Sequence, residues 1–413
     1  LDKKDFKIYI VGAGVSGLVA AQVLENKGYH PIILEASDRA GGRVKTDIKK
    51  GFQLDHGFQV LLSSYPAAQK YLDFKALKLQ KLKPGAVIFK NGKQQVIGDP
   101  LRDISTLFST LFSGIGTLSD KFKIFQLNLK LKNKSIEAIF SSNEISTKAY
   151  LQKFGFSSQI IAQFFTPFFT GIFLENELTT SSRMFEFVFK MFGEGLAVLP
   201  KGGMEEISKQ LVSNLKNTTF QYNTQVTSVS DKEIILHTED KLVSAATIIA
   251  TDASKLVKNA PSKNLTWKSC QTLYFTANKR VIEKPMIGLV SMEDSLINNI
   301  FYHTSVASHS NNTEELLSVT VVKEHQLSEE QLIAAVVKQL KDECHIDTIT
   351  FLEIYSIKRA LPDLKNIKYE VSPSETQLSS GIFLAGDVQL NGSLNAAMIA
   401  GEKAALQVIA SIK

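Results

Sequence analysis

The opening of the chain constrains its fold more than any other feature. Lys7-Ile8-Tyr9-Ile10-Val11 is a short apolar, β-branched run, as expected for a buried parallel strand. Gly12-Ala13-Gly14-Val15-Ser16-Gly17 follows, then a helical pattern from Leu18 to Lys27 that Gly28 stops. A second apolar run, Pro31 to Leu34, ends on Glu35. This order of strand, GxGxxG, helix, strand and acid is what a dinucleotide-binding unit requires. Gly12 permits the tight turn, Gly14 lets the backbone approach a pyrophosphate, and Gly17 lets helix and strand pack closely. The helix start at Val15 and Ser16 offers N–H groups and a positive dipole end to the phosphates. Glu35 is placed to accept hydrogen bonds from ribose hydroxyls. The expectation is an α/β fold built on a Rossmann-type domain.

That unit suits NAD as well as FAD. The next residues, Ala36-Ser37-Asp38-Arg39-Ala40-Gly41-Gly42-Arg43, carry the chain into a second glycine loop. There Arg39 or Arg43 could supply charge-assisted hydrogen bonds to a pyrophosphate; a surface turn with solvated arginines is the other reading. Near the carboxyl terminus, Ile382-Phe383-Leu384-Ala385 reads as a buried strand leading to Gly386-Asp387. After a loop, Gly392-Ser393-Leu394-Asn395-Ala396-Ala397 opens a helix of small residues. FAD is long enough to need such a second element. The carboxylate would meet the ribityl or phosphate region, and the helix amino terminus would favour negative charge on a reduced flavin ring.

Together these segments resemble the flavin-containing amine oxidase superfamily, which includes phytoene desaturases and protoporphyrinogen oxidases. Its pattern of GxGxxG, acid, RxGGR and a terminal Gly-Asp before a Gly-rich helix start is matched throughout. Leu54-Asp55-His56-Gly57-Phe58-Gln59 resembles the family segment beside the flavin ring, and Pro200-Lys201-Gly202-Gly203-Met204 its P-x-GGM element. The resemblance implies non-covalent FAD in a GR2-like domain, with adenine against the backbone of Val226, Thr251 near the cofactor, and the Leu394 N–H facing a flavin carbonyl. Neither Cys270 nor Cys344 stands near the Gly-Asp segment where monoamine oxidases attach theirs, and Gly392-Ser393-Leu394 lacks their aromatic cage. The desaturase-like branch is therefore preferred.

Read this way, the FAD-binding domain is discontinuous, assembled from residues 1–65, 195–265 and 375–413. An inserted α+β substrate domain takes residues 66–194 and 266–374. Within it, residues 86–97 read as a hairpin turning at Asn91-Gly92. Leu101 to Leu118 carry a helical apolar stripe, and Ser328-Glu329-Glu330-Gln331 is a capping box opening a helix to about Cys344. Ile349 to Ile357 reads as a strand. A net charge of +6 over 413 residues, without a run of like charge, makes nucleic acid a poor candidate partner. Two cysteines outside any CxxC pair exclude a disulfide framework or structural zinc, and the histidines show no metal spacing. With no apolar run of membrane-spanning length and no signal-peptide pattern, a soluble, cytoplasmic protein is expected.

Phenylalanine is uneven: nine of the 26 lie between Phe164 and Phe192. One reading is an apolar cavity for a hydrocarbon-like or polycyclic substrate; the other is ordinary core. Lys121, Lys123, Lys130, Lys132 and Lys134 alternate with Phe122, Ile124, Phe125, Leu127, Leu129 and Leu131. A solvated amphipathic helix is the first reading of that stretch, and a peripheral membrane contact the second. His56 is taken as structural, with tuning of the flavin as its alternative.

The expected function is FAD-dependent transfer of a hydride equivalent from a largely apolar, polyene- or porphyrinogen-like substrate to flavin N5, with oxygen, quinone or another acceptor reoxidising it. The cofactor carries the chemistry, so no catalytic residue is named and no metal is required. An amine oxidase, a redox-neutral flavin isomerase, a non-catalytic FAD-binding protein and an NAD-only dehydrogenase are the rivals.

Overall fold

The computed structural model describes residues 2–98, 114–258, 265–292, 294–310 and 312–412. Its first sheet has six strands in the order Thr219–Gln221, Ile32–Leu34, Ile8–Val11, Ala246–Ile249, Ile382–Leu384 and Gln377–Ser379. The first five run parallel and the last is antiparallel. Alternation along each strand divides the burial between two layers. Ile8, Ile10, Ile33, Ile248 and Phe383 join the main core with the helices Val15–Glu25 and Leu394–Ser411. Tyr9, Val11, Leu34, Ile249 and Leu384 pack instead on the meander Val226–Val229, Glu233–Leu236 and Lys241–Val243. The two helices touch closely, since a Cβ at Gly401 would meet the Ser16 carbonyl oxygen at 2.1 Å.

A second, mixed sheet has seven strands in the order Ile349–Asp363, Thr266–Ala277, Glu315–Val321, Ile297–Tyr302, Ile287–Val290, Gly85–Lys90 and Lys93–Gly98. The hairpin turns at Asn91 and Gly92, both with positive φ, as a type I′ turn requires. The helix Glu329–Cys344 covers one face, burying Leu332, Val336 and Leu340 against Leu273, Phe275 and Val319. Its capping box is complete: Ser328 Oγ accepts from the Gln331 N–H, and Gln331 Oε1 accepts from the Ser328 N–H. The outer strand continues past Ile357 through Pro362 to Asp363. Only one of its sides is paired, and within sheets proline is confined to such edge strands.

A helical layer closes over the other face of this sheet: Leu118–Lys132, Ile136–Phe140, Thr147–Phe154, Ser158–Ile160 running into Thr166–Phe173, and Ser182–Glu194. Residues 101–113 of the predicted helical stripe lie outside the described residues. Leu118, its last member, begins the helix that Thr117 caps.

Candidate active site

The glycines of the opening motif do three different jobs. Gly12 has φ +104°, and a Cβ there would meet the Ala250 carbonyl oxygen at 3.2 Å. At Gly17 a Cβ would meet the Gly12 oxygen at 2.1 Å, so this glycine serves helix–strand packing. At Gly14, with φ −71° and ψ 172°, a Cβ would find no protein atom within 4 Å. The backbone is thus kept bare where it faces open space. The second glycine loop is stitched to the first, because the Gly41 N–H donates to the Ala13 oxygen at 3.0 Å and Gly41 bridges Gly14.

Glu35 accepts from the Ala13 N–H at 2.7 Å and from the Ser37 N–H and hydroxyl at 2.9 and 2.7 Å. These bonds fix the carboxylate while leaving lone pairs for a further donor. Ser16 Oγ accepts from the Gly386 N–H at 2.8 Å, which joins the amino-terminal loop to the carboxyl-terminal one. Ser393 caps the last helix by accepting from the Ala396 N–H at 3.0 Å. The first N–H groups of that helix have no intrahelical acceptor.

The two loop arginines separate. Arg39 donates to Asp47 at 2.6 Å and to Glu205 at 3.1 Å and lies away from the cavity, so its interactions support the loop. Arg43 reaches buried Asp387 in an ion pair and lies over Trp267, 5.3 Å from the ring centroid.

These elements enclose one chamber of about 1280 Å³. All but four of the residues singled out from the sequence for the cofactor line it: Gly12, Gly14, Val15, Ser16, Glu35, Gly41, Gly42, Arg43, Gly57, Phe58, Gln59, Thr251, Gly386, Asp387, Gly392, Ser393, Leu394 and Ala397. Gly17, Ala36, Arg39 and Val226 lie outside its wall. A bare Gly14, an anchored acid at Glu35 and an arginine beside a buried carboxylate fit the phosphates and ribose of a dinucleotide.

The far part of the chamber is apolar, and it divides the phenylalanine cluster. Phe164, Phe168, Phe189 and Phe192 line it, whereas Phe165, Phe169, Phe173, Phe185 and Phe187 are fully buried core. The helix carrying Phe164 and Phe168 contains a π-helical turn, Ile161–Phe165, just before Pro167. Such turns accommodate a proline within a helix and frequently mark functional sites. Leu118, Phe122 and Phe125 stand at the rim, with Leu118 and Phe122 exposed by 70% and 61%. This helix therefore exposes apolar side chains where a simply solvated helix would present polar ones.

Sequence reasoning missed the contribution of the seven-stranded sheet: Trp267, Cys270, Ile287, Asn299, Thr320 and Ser356 all line the chamber. Only the adjacent asparagines in the strand Ile297–Tyr302 offered a signal, since asparagine is depleted in strands. Cys270 stands in the wall, but burial pushes its thiol up to about 11, so it is no ready nucleophile.

His56 also lines the chamber, with Nε2 donating to Asp47 at 2.8 Å and the ring stacking on Tyr355 at 4.4 Å. Burial works against ionisation of Asp47, yet bonds from His56, Tyr355 and Arg39 outweigh it and hold the carboxyl at about 2. Among the described residues no group of His, Cys, Asp and Glu is arranged to hold a metal, and no helix is long and apolar enough to cross a membrane.

The family model for flavin containing amine oxidoreductases matches residues 15–409. The chain belongs to that family. The fold that goes with it has a Rossmann-type domain and a substrate domain. Protoporphyrinogen oxidase 2 of Arabidopsis thaliana is 27% identical over 169 residues, 40% of this chain and 32% of that protein. An L-amino-acid oxidase of Bothrops moojeni is 25% identical over 308 residues, 67% of this chain and 60% of that protein. The matches thus span less than two thirds of either relative's length. Among solved structures, a candidate protoporphyrinogen oxidase of Exiguobacterium sp. 255-15 superposes with a TM-score of 0.72 at 17% identity, covering 98% of both chains. At that identity the likeness concerns the fold.

Proposed function

We propose that this amine oxidoreductase-family enzyme oxidises a largely apolar small molecule, with FAD bound non-covalently along the chamber. When bound, FAD supplies the acceptor for a hydride equivalent. Bare backbone at Gly14, the helix start at Val15 and Ser16, and Arg43 would hold the pyrophosphate, and Glu35 the ribose. Gly386 and Asp387 would meet the ribityl region, with Gly57, Phe58, Gln59 and Leu394 around the flavin. Val226, whose side chain packs on the six-stranded sheet outside the chamber wall, would meet the adenine through its backbone. In the same reading, residues 1–65, 195–265 and 375–413 make the FAD domain, and the rest the substrate domain.

The observation carrying the proposal is the continuity of the chamber, from Gly12, Gly14 and Glu35 to Phe164, Phe168, Phe189 and Phe192. That phenylalanine wall would exclude water and favour an apolar frame over a sugar or an acid. The high thiol pKa of Cys270 supports non-covalent attachment. Anaerobic mixing with a soluble polyene should bleach the flavin, with oxygen or a quinone restoring it. Bleaching by L-amino acids alone would instead favour an amine oxidase, the reading to which the Bothrops relative lends weight.

Exposed Leu118, Phe122 and Leu129, on a helix that also carries Lys123 and Lys130, support a peripheral membrane contact beside the chamber rim. Serine at Leu118 and Phe122 should then weaken cosedimentation with anionic vesicles. Unchanged cosedimentation would remove that contact from the proposal.

A further inference from the structure

Eight buried side-chain polar atoms among the described residues have no hydrogen-bond partner, and three belong to one row of the seven-stranded sheet. Thr272 pairs in register with Thr320, and Thr320 with Asn299, across three adjacent strands. Thr272 Oγ1, Thr320 Oγ1 and Asn299 Nδ2 are the unpartnered atoms. The three residues are 0%, 4% and 1% exposed. Asn299 and Thr320 line the chamber. Asn299 Oδ1 already accepts from Asn298 Nδ2 at 3.0 Å, which leaves its N–H₂ as the donor without a partner. Opposite, the phenylalanine-bearing helix approaches closely: a Cβ at Gly171 would meet Asn298 Nδ2 at 2.9 Å and Asn299 Oδ1 at 3.2 Å.

Unpartnered buried polar atoms cost stability, and valine would fill a threonine's space without that cost. Isolated cases can be absorbed by a water, but a row in the wall of an apolar chamber has the form of a recognition site: apolar lining with a few convergent polar groups. We propose that Asn299 and Thr320, backed by Thr272, anchor a neutral oxygen function, a carbonyl or hydroxyl, on an otherwise apolar substrate. The inference rests on the reading of the chamber as the substrate site. Asn299 can only donate from Nδ2, and the Thr320 hydroxyl can donate or accept, so an oxygen acceptor in the chamber satisfies both. A carboxylate fits less well, because the row is uncharged: Leu289 and Tyr355 flank it in register.

The test uses the flavin-loaded protein and three probes of similar length: 2-undecanone, undecane and undecanoate. Trp267, the only tryptophan, lines the chamber and reports binding by its fluorescence. The wild type should prefer the ketone to both others. Thr320→Val and Asn299→Leu should each weaken the ketone about tenfold and leave undecane unchanged, while Thr320→Ser keeps the preference. Without ligand, Thr320→Val should melt about 2 °C higher, because an unpartnered hydroxyl is gone. Equal loss of ketone and hydrocarbon, no loss of either, or tighter binding of undecanoate would overturn the anchor. If undecane and the ketone both fail to bind, the apolar-chamber reading itself falls, and the anchor with it. If undecane binds and the ketone has no advantage, only the anchor falls.

Discussion

Two glycines three residues apart should respond to substitution in opposite ways. Gly14→Val places a side chain where the backbone already has φ −71° and ψ 172°, which valine adopts freely. Its Cβ would meet no protein atom within 4 Å. As a change of helix N-cap from glycine, it should cost the fold no more than about 1 kcal/mol. The isopropyl group would instead occupy the path of a pyrophosphate. Displacing two N–H bonds to charged phosphate, at about 1.5–3 kcal/mol each, weakens FAD by at least about a hundredfold. Gly17→Ala drives a Cβ to 2.1 Å from the Gly12 carbonyl oxygen and 3.2 Å from Ile10 Cγ2. Backbone cannot yield as a side chain does, so about 3 kcal/mol of stability should be lost with or without cofactor. Thermal melts of the flavin-free proteins and titration with FAD separate the two effects. A Gly14→Val protein that keeps stoichiometric flavin, or a Gly17→Ala protein of unchanged stability, would refute the division of labour.

Four further substitutions probe the site's surroundings. Burial raises the Asp55 carboxyl to about 6, although Thr46 and the Met204 N–H donate to it. A folded pKa above the unfolded one means that stability is lost as pH rises from about 4 to 6 and stays lower beyond. Asp55→Asn keeps an acceptor without the charge, so in denaturant melts it should stabilise by up to about 3 kcal/mol near neutral pH, with the gain vanishing below about pH 4. A gain independent of pH would contradict this. Phe169→Ala, in the core, should cost about 3–5 kcal/mol, whereas Phe168→Ala, in the chamber wall, should cost less and widen the range of apolar ligands bound; equal losses would contradict the partition. Arg43→Ala leaves buried Asp387 without its ion pair and should weaken FAD about tenfold, read by flavin titration.

The glycine-loop half of the chamber was legible because it is local: turn glycines, a following helix and an acid declare themselves in consecutive residues. Gly12, Gly14, Glu35 and Asp387 each stand in the chamber wall for that reason. Arg39 and Arg43 looked equivalent in sequence, and only tertiary partners distinguish them, since Asp47 and Glu205 engage the first and Asp387 the second. The phenylalanine cluster could not be divided from spacing alone. The π-helical turn at Ile161–Phe165 alters the helical register within that cluster. Asn299 and Thr320 stay hidden for another reason: their significance lies in pairing across strands, which the unusual asparagine pair hints at but does not locate.

FAD held in this chamber without a covalent bond would leave it on acid denaturation, which visible absorption of the purified protein before and after acid precipitation detects. The expected result is an oxidised-flavin spectrum at one flavin per chain, all of it released into the acid supernatant. A colourless protein that takes up no FAD on incubation, or flavin that stays with the precipitate, would contradict it.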